Sequence, residues 1–227
     1  TSYGILAETI QMPKDRSWVI YKLRDEARWP NGSSVTAEDV KFTFDFQFEK
    51  GWPGFADAFA MIESIEVLDG NRVKFSFTED NTDRNVPFTI GGEAIIPKYF
   101  WEDRDPQEIF LDVYPVGSGE YRIKEHQDEN YIIYERRDDY WGDSFAWAQG
   151  SANFQTMRYK YYNDVTTIRN AIKVGEIDMR GENQMKAWVN DYKAEDIPAI
   201  AEGLLIKKEF EDNEIQNTQA MFFNLQK

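Results

Sequence analysis

Ser118 lies between two glycines in the segment PVGSG, where an exposed hydroxyl could act as a nucleophile. A serine nucleophile requires a base, which in serine hydrolases is most often a histidine held by a carboxylate. His126 is the only histidine of the chain, and the segment lacks the outer glycines of a strained nucleophile elbow. The sequence therefore does not favour nucleophilic catalysis at Ser118.

Two other patterns are compatible with chemistry but do not define a site. The segment Gly91-Gly92-Glu93 could form a backbone nest for an anion, although two adjacent glycines are more often a turn. The 41 acidic residues could supply the acid and base of a glycosidase. Because such a pair is defined by its separation in space, no sequence spacing selects one.

Glu182, Asn183 and Trp188 form the most informative polar and aromatic group. They follow the segment EIDM, a predicted strand, and Gly181. The end of a strand is a common position for ligand contacts, and amphipathic aromatic residues often line such clefts. The alternative is a helix N-terminus capped by Asn183 or Glu182. The residues alone leave both interpretations open.

The composition limits the classes of partner. The chain has 227 residues, of which 41% are apolar and 15% aromatic, enough for a substantial core. Its net charge of -15 argues against a nucleic-acid partner. The charge either serves solubility or favours cationic ligands. With no cysteine and one histidine, a disulfide scaffold, a thiolate metal site and a zinc site are not expected.

The ends and hydropathy of the chain give two further expectations. No apolar run reaches the roughly 18 residues that a membrane span requires. No signal peptide precedes Thr1, the sequence begins without methionine, and it stops after the strand-like segment AMFFNLQK. We therefore expect both ends to be cut from a longer chain.

The segment VTAEDVKFTFDFQFEK, residues 35–50, carries signals for two structures. Thr36 followed by Asp39 is the pattern of a helix N-cap. Beyond it, apolar and polar residues alternate, as in a half-buried strand. A helix buried on two sides satisfies both signals. Its two apolar faces would consist of Val40, Phe44 and Phe48 and of Phe42 and Phe46.

The remaining segments predict hairpins, strands and short helices. Predicted strands and hairpins cover 16–24, 63–77, 120–137, 154–162, 176–179, 204–210 and 219–225. Predicted helices cover 96–102, 165–175, 182–192 and 196–203, with Gly175 at a left-handed C-cap. Turns are predicted at Asn31-Gly32, at Asp69-Gly70 and at 128–130. The glycine-rich segment near Pro115 predicts an internal boundary.

Six segments, in this order, resemble the family 5 extracellular solute-binding proteins of ABC importers, which bind dipeptides, oligopeptides or nickel. They are GILAETI, VIYKLRDEARWPNGSSVTAEDVKFTF, PVGSGEYRIKE, YERRDDYWG, TTIRNAIKVGEIDM and MFFNLQK. The likeness covers essentially the whole chain. The segments YGILAE and VGEIDMRGENQMKAWVNDY look closest to the long-chain subgroup associated with oligopeptides and microcin-type peptides.

The resemblance implies an α/β fold with mixed α+β sheets, of the class II periplasmic-binding-protein type, with only one lobe in this chain. Residues 1–113 would form a peripheral subdomain of lobe one. Residues 114–227 would form part of its sheet domain and end at the hinge to an absent second lobe. Because the family's TAEDV segment begins a helix, a helix is expected from Ala37 to Glu49.

The implied function is not enzymatic. The chain would belong to the substrate-binding component of an ABC transporter, which binds oligopeptides in the periplasm and delivers them to a membrane permease after lobe closure. No cofactor is implied. Carried over by position, Glu182 and Asn183 match a polar pair that touches the peptide backbone in relatives. Gln219 and Met221 would lie where relatives place aromatic residues, and Trp188 lies near the polar pair.

Two alternatives to this function remain, and the single-lobe interpretation has two consequences. The chain could belong to a secreted carbohydrate-active enzyme, which would need two carboxylates about 5 to 10 Å apart in one pocket, or to an oligosaccharide-binding protein. A single lobe is expected to bind ligand weakly, because closure buries most of the ligand. Strand edges left without their neighbours would favour self-association.

Overall fold

The computed structural model describes residues 4–51, 54–106 and 113–210. The chain divides into two compact units, Thr1–Tyr161 and Tyr162–Lys227, here called unit 1 and unit 2. The subdivision after residue 113 falls inside unit 1 and stays a prediction. No helix within the described ranges is long and apolar enough to cross a membrane.

Unit 1 contains seven described strands, which form two antiparallel sheets, four described α-helices and a short 3-10 helix, Ala146–Ala148. In chain order the strands and α-helices are β1 (Ala7–Gln11), β2 (Trp18–Leu23), α1 (Ala37–Lys50), α2 (Gly54–Ala58), β3 (Ile62–Leu68), β4 (Arg72–Phe77), α3 (Val86–Ile90), α4 (Lys98–Trp101), β5 (Tyr121–Gln127), β6 (Tyr131–Arg136) and β7 (Thr156–Lys160). The first sheet has the order β1-β2-β4-β3 and the second β5-β6-β7. The predicted mixed helix and strand fold is confirmed.

The helix α1 covers one face of the four-stranded sheet. Along β2 and β4, fully buried residues alternate with partly buried ones, so each strand has one face in the core. Val19 of β2 is paired with Phe75 of β4, and both are inaccessible to solvent. The ring of Phe44, on α1, lies 4.9 Å from that of Phe75. These contacts form the main core of unit 1.

The start of α1 confirms that the capping signal prevails over the alternation. The Thr36 side chain accepts a hydrogen bond from the Asp39 amide, and the Asp39 carboxylate accepts one from the Thr36 amide, a complete capping box. The two predicted faces are also observed. Phe44 and Phe48 contact Phe55, whereas Phe46 contacts Trp101. The alternation thus reflects burial on two sides of one helix.

The predicted hairpins 63–77 and 120–137 are confirmed, and so is strand 154–162 as β7. The turn glycines Gly32 and Gly70 both have positive φ angles, which glycine adopts without strain. Strand β1 was not predicted from the sequence. Its pairing with β2 is interrupted by a register shift between Ala7 and Thr9, and an irregular strand gives a weak alternation signal.

Unit 2 contains three described helices, α5 (Val165–Lys173), α6 (Met185–Asn190) and α7 (Pro198–Ala201). All three helices were predicted, although α6 and α7 are shorter than expected. Asp164 caps α5 by accepting a hydrogen bond from the Thr167 amide. At its other end Gly175 has a φ of +74°, which confirms the predicted left-handed residue.

Two predicted strands of unit 2 are wrong. At 176–179, the Glu176 amide donates to the carbonyl of Ala171 and closes the end of α5, so it is not available to a sheet ladder. At 204–210, the amides of Leu204 and Leu205 donate to the carbonyl of Ala199 and end α7. Within the described part of the chain, neither segment pairs with another strand. The predicted strand 219–225 lies outside the described residues.

Candidate ligand-binding site

Unit 2 contains a recess of about 120 Å³ that brings two of the predicted site residues together. Its walls combine aliphatic, aromatic and charged side chains. The lining residues are Ile172, Asp178, Met179, Arg180, Glu182, Trp188, Tyr192, Ile200, Leu205, Ile206 and Lys207. Such a mixture of an apolar surface with a few convergent polar groups is typical of sites for small molecules and peptides.

The carboxylate of Glu182 is the centre of a buried hydrogen-bond cluster. Its side chain is 3% exposed. One oxygen accepts from Arg169 Nε at 2.8 Å, Arg180 NH1 at 2.6 Å and the Tyr192 hydroxyl at 3.2 Å. The other accepts from Arg169 NH2 at 3.2 Å and from the Gln184 amide at 3.0 Å. A carboxylate has about four acceptor positions, so these five donors leave none of them free.

This cluster fixes the charge of Glu182. The hydrogen bonds from Arg169 first, and then from Arg180, hold the pKa of Glu182 well below its usual range, although burial acts in the opposite direction. The side chain is thus ionised and has no acceptor position left for a ligand. A contact between Glu182 and peptide backbone, as the resemblance implies, would have to come from its main chain.

Among the three guanidinium nitrogens of Arg180, only NH1 makes hydrogen bonds to described residues. Its NH1 nitrogen donates to Glu182 and, at 2.6 Å, to the Tyr192 hydroxyl. In the ranges 4–51, 54–106 and 113–210, no acceptor engages its Nε or NH2 nitrogens. Sequence reasoning did not identify Arg180 as a site residue. The available signal was an arginine two positions before a glutamate, directly after the segment EIDM.

Trp188 forms the aromatic wall of the recess and is half-buried. Its indole nitrogen donates to Glu209, and its ring lies 6.3 Å from that of Tyr192. The ammonium group of Lys207 lies 4.4 Å from the Trp188 ring centroid and donates to the Trp188 carbonyl. One indole face is therefore already covered.

The other predicted site residues are Asn183, Gln219 and Met221, of which the structure describes Asn183. Asn183 is exposed and does not line the recess. The N-cap of α6 is Gln184, whose own side chain makes no capping hydrogen bond. Glu182 accepts the Gln184 amide, so part of the predicted capping role is present. Gln219 and Met221 lie outside the described residues.

A larger groove of about 350 Å³ in unit 1 lies at the start of α1, and two of the polar residues that line it, Thr36 and Asn71, already serve the fold. Thr36 forms the capping box of α1. The Asn71 side chain accepts from the Ala37 amide at 2.8 Å and donates to the Val35 carbonyl at 3.3 Å. This groove is better explained as the junction between α1 and the β3–β4 turn than as a ligand site.

The segment PVGSG also has a structural role. The carbonyl of Ser118 accepts a hydrogen bond from the Trp141 indole at 2.9 Å, and that of Gly119 accepts one from Arg137 at 3.1 Å. These contacts attach the segment to the residues that follow β6. In the described part of the chain, no cluster of three histidine, cysteine or acidic side chains could hold a metal ion.

The fold and the recess together define a periplasmic-binding-protein lobe. The solved oligopeptide-binding protein AppA of Bacillus subtilis, in complex with a nonapeptide, matches 77% of this chain with a TM-score of 0.65 and 25% identity, over 34% of its own length. The model of the bacterial extracellular solute-binding proteins, family 5, middle region, matches residues 2–227. The chain belongs to this family.

Two curated relatives come from Agrobacterium fabrum. The probable peptide-binding protein YejA is 36% identical over 214 residues, which covers 92% of this chain and 34% of the relative. The peptidoglycan-binding protein YepA is 32% identical, with the same coverage of both chains. The chain thus spans about a third of the length of these relatives.

Proposed function

We propose that the protein containing this chain is the substrate-binding component of an ABC transporter, which binds oligopeptides in the periplasm and delivers them to a membrane permease. The observation that carries the proposal is the recess of unit 2, where Arg180, with two guanidinium nitrogens that no described residue engages, lines the same recess as Trp188 and a set of aliphatic side chains. These aliphatic side chains, here called the aliphatic floor, are Ile172, Ile200, Leu205 and Ile206. This combination suits a peptide, which offers both charged and apolar groups. The names of the YejA and AppA relatives support the same class of ligand.

In this proposal the chain supplies one wall of the ligand site. A second lobe closes over the ligand, buries it and presents the closed form to the permease. Glu182 does not react in this scheme. It keeps Arg180 in place, while the aliphatic floor and Trp188 contact the ligand's apolar groups.

An enzymatic role is less well supported by the recess. A glycosidase needs a carboxylic acid whose pKa is raised so that it can donate a proton. The pKa of Glu182 is lowered, and all of its acceptor positions are occupied. An oligosaccharide-binding role would use the Trp188 ring as a stacking platform, and Lys207 already covers one face of that ring.

Native mass spectrometry of the complete protein, purified from its host, tests the proposal directly. We expect a bound mass that fragments into amino acids. Titration calorimetry with peptides of three to seven residues and with peptidoglycan fragments would then define the range of ligands. A bound oligosaccharide, or turnover of one, would contradict the peptide proposal.

The 227 residues alone should bind weakly, because a single wall cannot enclose a ligand. A dissociation constant below about 1 µM for this piece would mean that it carries the whole site. Sedimentation velocity should accompany the titration, since β7 is an edge strand of its sheet within the described residues and carries Tyr159, which is 56% exposed. A strictly monomeric piece would contradict self-association through strand edges.

A further inference from the structure

Arg180 has the geometry of an anion-binding residue. One guanidinium nitrogen is held by neighbouring side chains, and the other two have no acceptor among the described residues. Its side chain is 11% exposed, so most of its surface is already removed from water. Glu182 and Tyr192 hold the NH1 nitrogen at 2.6 Å each. The Nε and NH2 nitrogens have no acceptor among the described residues, although Arg180 lines the recess. A planar guanidinium fixed in this way is suited to a carboxylate, whose two oxygens match its donors.

The charges around the recess permit an anion at this position. Arg169 is the second cation on Glu182, and it also donates to the Gln184 side chain at 2.8 Å and lies 3.8 Å from the Asp191 carboxylate. Two acidic side chains line the recess, Glu182 and Asp178. Glu182 is compensated by the two arginines, and Asp178 is exposed. Among the described residues, the one ion pair of Arg180 is with Glu182, which it shares with Arg169, so an incoming carboxylate would meet a guanidinium that is only partly neutralised.

Lys207 is the other cation that lines the recess, but it has less capacity left for a ligand. Its ammonium group donates to the Trp188 carbonyl and lies over the Trp188 ring. A lysine also lacks the planar fork that makes bidentate recognition of a carboxylate specific. Lys207 therefore adds positive charge near the site, whereas Arg180 offers the directed donors.

We propose that Arg180 is a ligand-binding residue that selects a carboxylate group, either the C-terminus of a bound peptide or an acidic side chain within it. Trp188 and the aliphatic floor would contact the apolar part next to that carboxylate. Glu182 is then a positioning residue, because it acts on the ligand only through Arg180. The inference names the ligand group for the proposed peptide function and rests on that function for the peptide itself.

The test uses the complete protein and one apolar pentapeptide in four forms. Two forms differ at the C-terminus, as free acid or amide. Two amidated forms differ at an internal position, as glutamate or glutamine. Calorimetry should show a preference for one acid over its neutral counterpart of about 10- to 100-fold, the effect of a charge-assisted hydrogen bond. A free-acid preference identifies the C-terminus as the source, and a glutamate preference identifies a side chain.

Arg180→Gln should remove this preference. The matched control is Arg169→Gln, which weakens the same Glu182 cluster but removes a residue that does not line the recess. Circular dichroism would confirm that both variants are folded. If Arg180→Gln does not fold, Arg180→Lys retains the charge beside Glu182 without the fork, and it should lower the preference while the fold is kept.

The outcomes separate this inference from the proposed function. Peptide binding without any acid preference, or with a preference that Arg180→Gln and Arg180→Lys both retain, would overturn the inference and leave the peptide function intact. If no peptide binds, a trigalacturonate and its methyl ester provide a non-peptide carboxylate and its neutral form. An Arg180-dependent preference for the acid would then support the carboxylate site and reject the peptide function. Equal or absent binding of both would overturn both proposals.

Discussion

The carboxylate of Asp39, in the first turn of α1, accepts the backbone amide of Lys98 at 3.0 Å, although the two residues lie 59 positions apart. Lys98 is the first residue of α4, where a backbone N–H has no partner within its own helix. The same carboxylate accepts the Thr36 amide at 2.9 Å and the Trp29 indole at 3.2 Å. A single buried acid therefore joins two helix starts and the loop that carries Trp29.

Replacing Asp39 with alanine should destabilise unit 1 by at least about 2 kcal/mol, because four donors in a largely buried region, the Thr36 hydroxyl among them, would lose their acceptor. The measurement is urea unfolding followed by circular dichroism. Asp45→Ala is the control on the same helix. Asp45 is exposed and pairs only with Lys41, so its loss should cost about 0.5 kcal/mol or less. Similar losses for the two variants would contradict the role assigned to Asp39.

Thr36→Ala should cost about 1 kcal/mol, because it removes the hydroxyl that caps the Asp39 amide. The expected readout is a lower melting temperature with an unchanged far-ultraviolet spectrum. Thr36→Ser keeps the hydroxyl and should restore most of the loss. A melting curve that does not change in Thr36→Ala would show that the capping box is unimportant for the start of α1.

Phe44 and Phe48 lie on the same face of α1 but are buried to different extents, so the same truncation should have unequal effects at the two positions. Phe44 is 1% exposed and its ring contacts Phe55, Phe59 and Phe75. Phe44→Ala should therefore cost about 3 to 5 kcal/mol. Phe48 is 38% exposed and contacts Phe55 alone among the described rings, so Phe48→Ala should cost markedly less. Chemical denaturation of both variants measures the difference, and equal costs would contradict the assigned burial.

The sequence was sufficient for α1 because its signals are local. The capping box spans only four residues, Thr36 to Asp39, and two apolar faces on one helix explain the alternation. The error at 176–179 has the opposite origin. EIDM was predicted to be a strand, but a strand requires a partner, and the Glu176 amide is used instead to end α5. Pairing of this kind depends on neighbours in space, which composition does not specify.

The candidate site also depends on contacts between residues that are distant in the sequence. Glu182 and Trp188 could be selected from the sequence because they follow a short predicted strand and a glycine. The partner that fixes the charge of Glu182 is Arg169, 13 residues earlier on α5. Only the packing of α5 against the segment around Glu182 brings the two together. As a result, the sequence suggested Glu182 as a ligand contact, whereas the geometry points to Arg180.

The Glu182 cluster should make unit 2 sensitive to acid. The pKa of Glu182 is lowered in the folded state, primarily by Arg169, from an ordinary value of 4.5. Above pH 4.5 the side chain is ionised in both the folded and the unfolded chain, and its full contribution to stability is present. As the pH falls below that value, the unfolded chain binds the proton first, so the stability of the folded state decreases.

Glu182→Gln should therefore be less stable than the wild type at neutral pH and should lose less stability on acidification to about pH 3.5. Hydrogen exchange of the amides of α5 and α6 measures the effect in unit 2 itself. Glu195→Gln is the matched control, because Glu195 is 75% exposed and its only described ion pair, with Lys193, is 3.9 Å long. That variant should follow the wild-type pH dependence. If Glu182→Gln does so too, the arginines do not lower the pKa of Glu182, and the positioning role assigned to it fails.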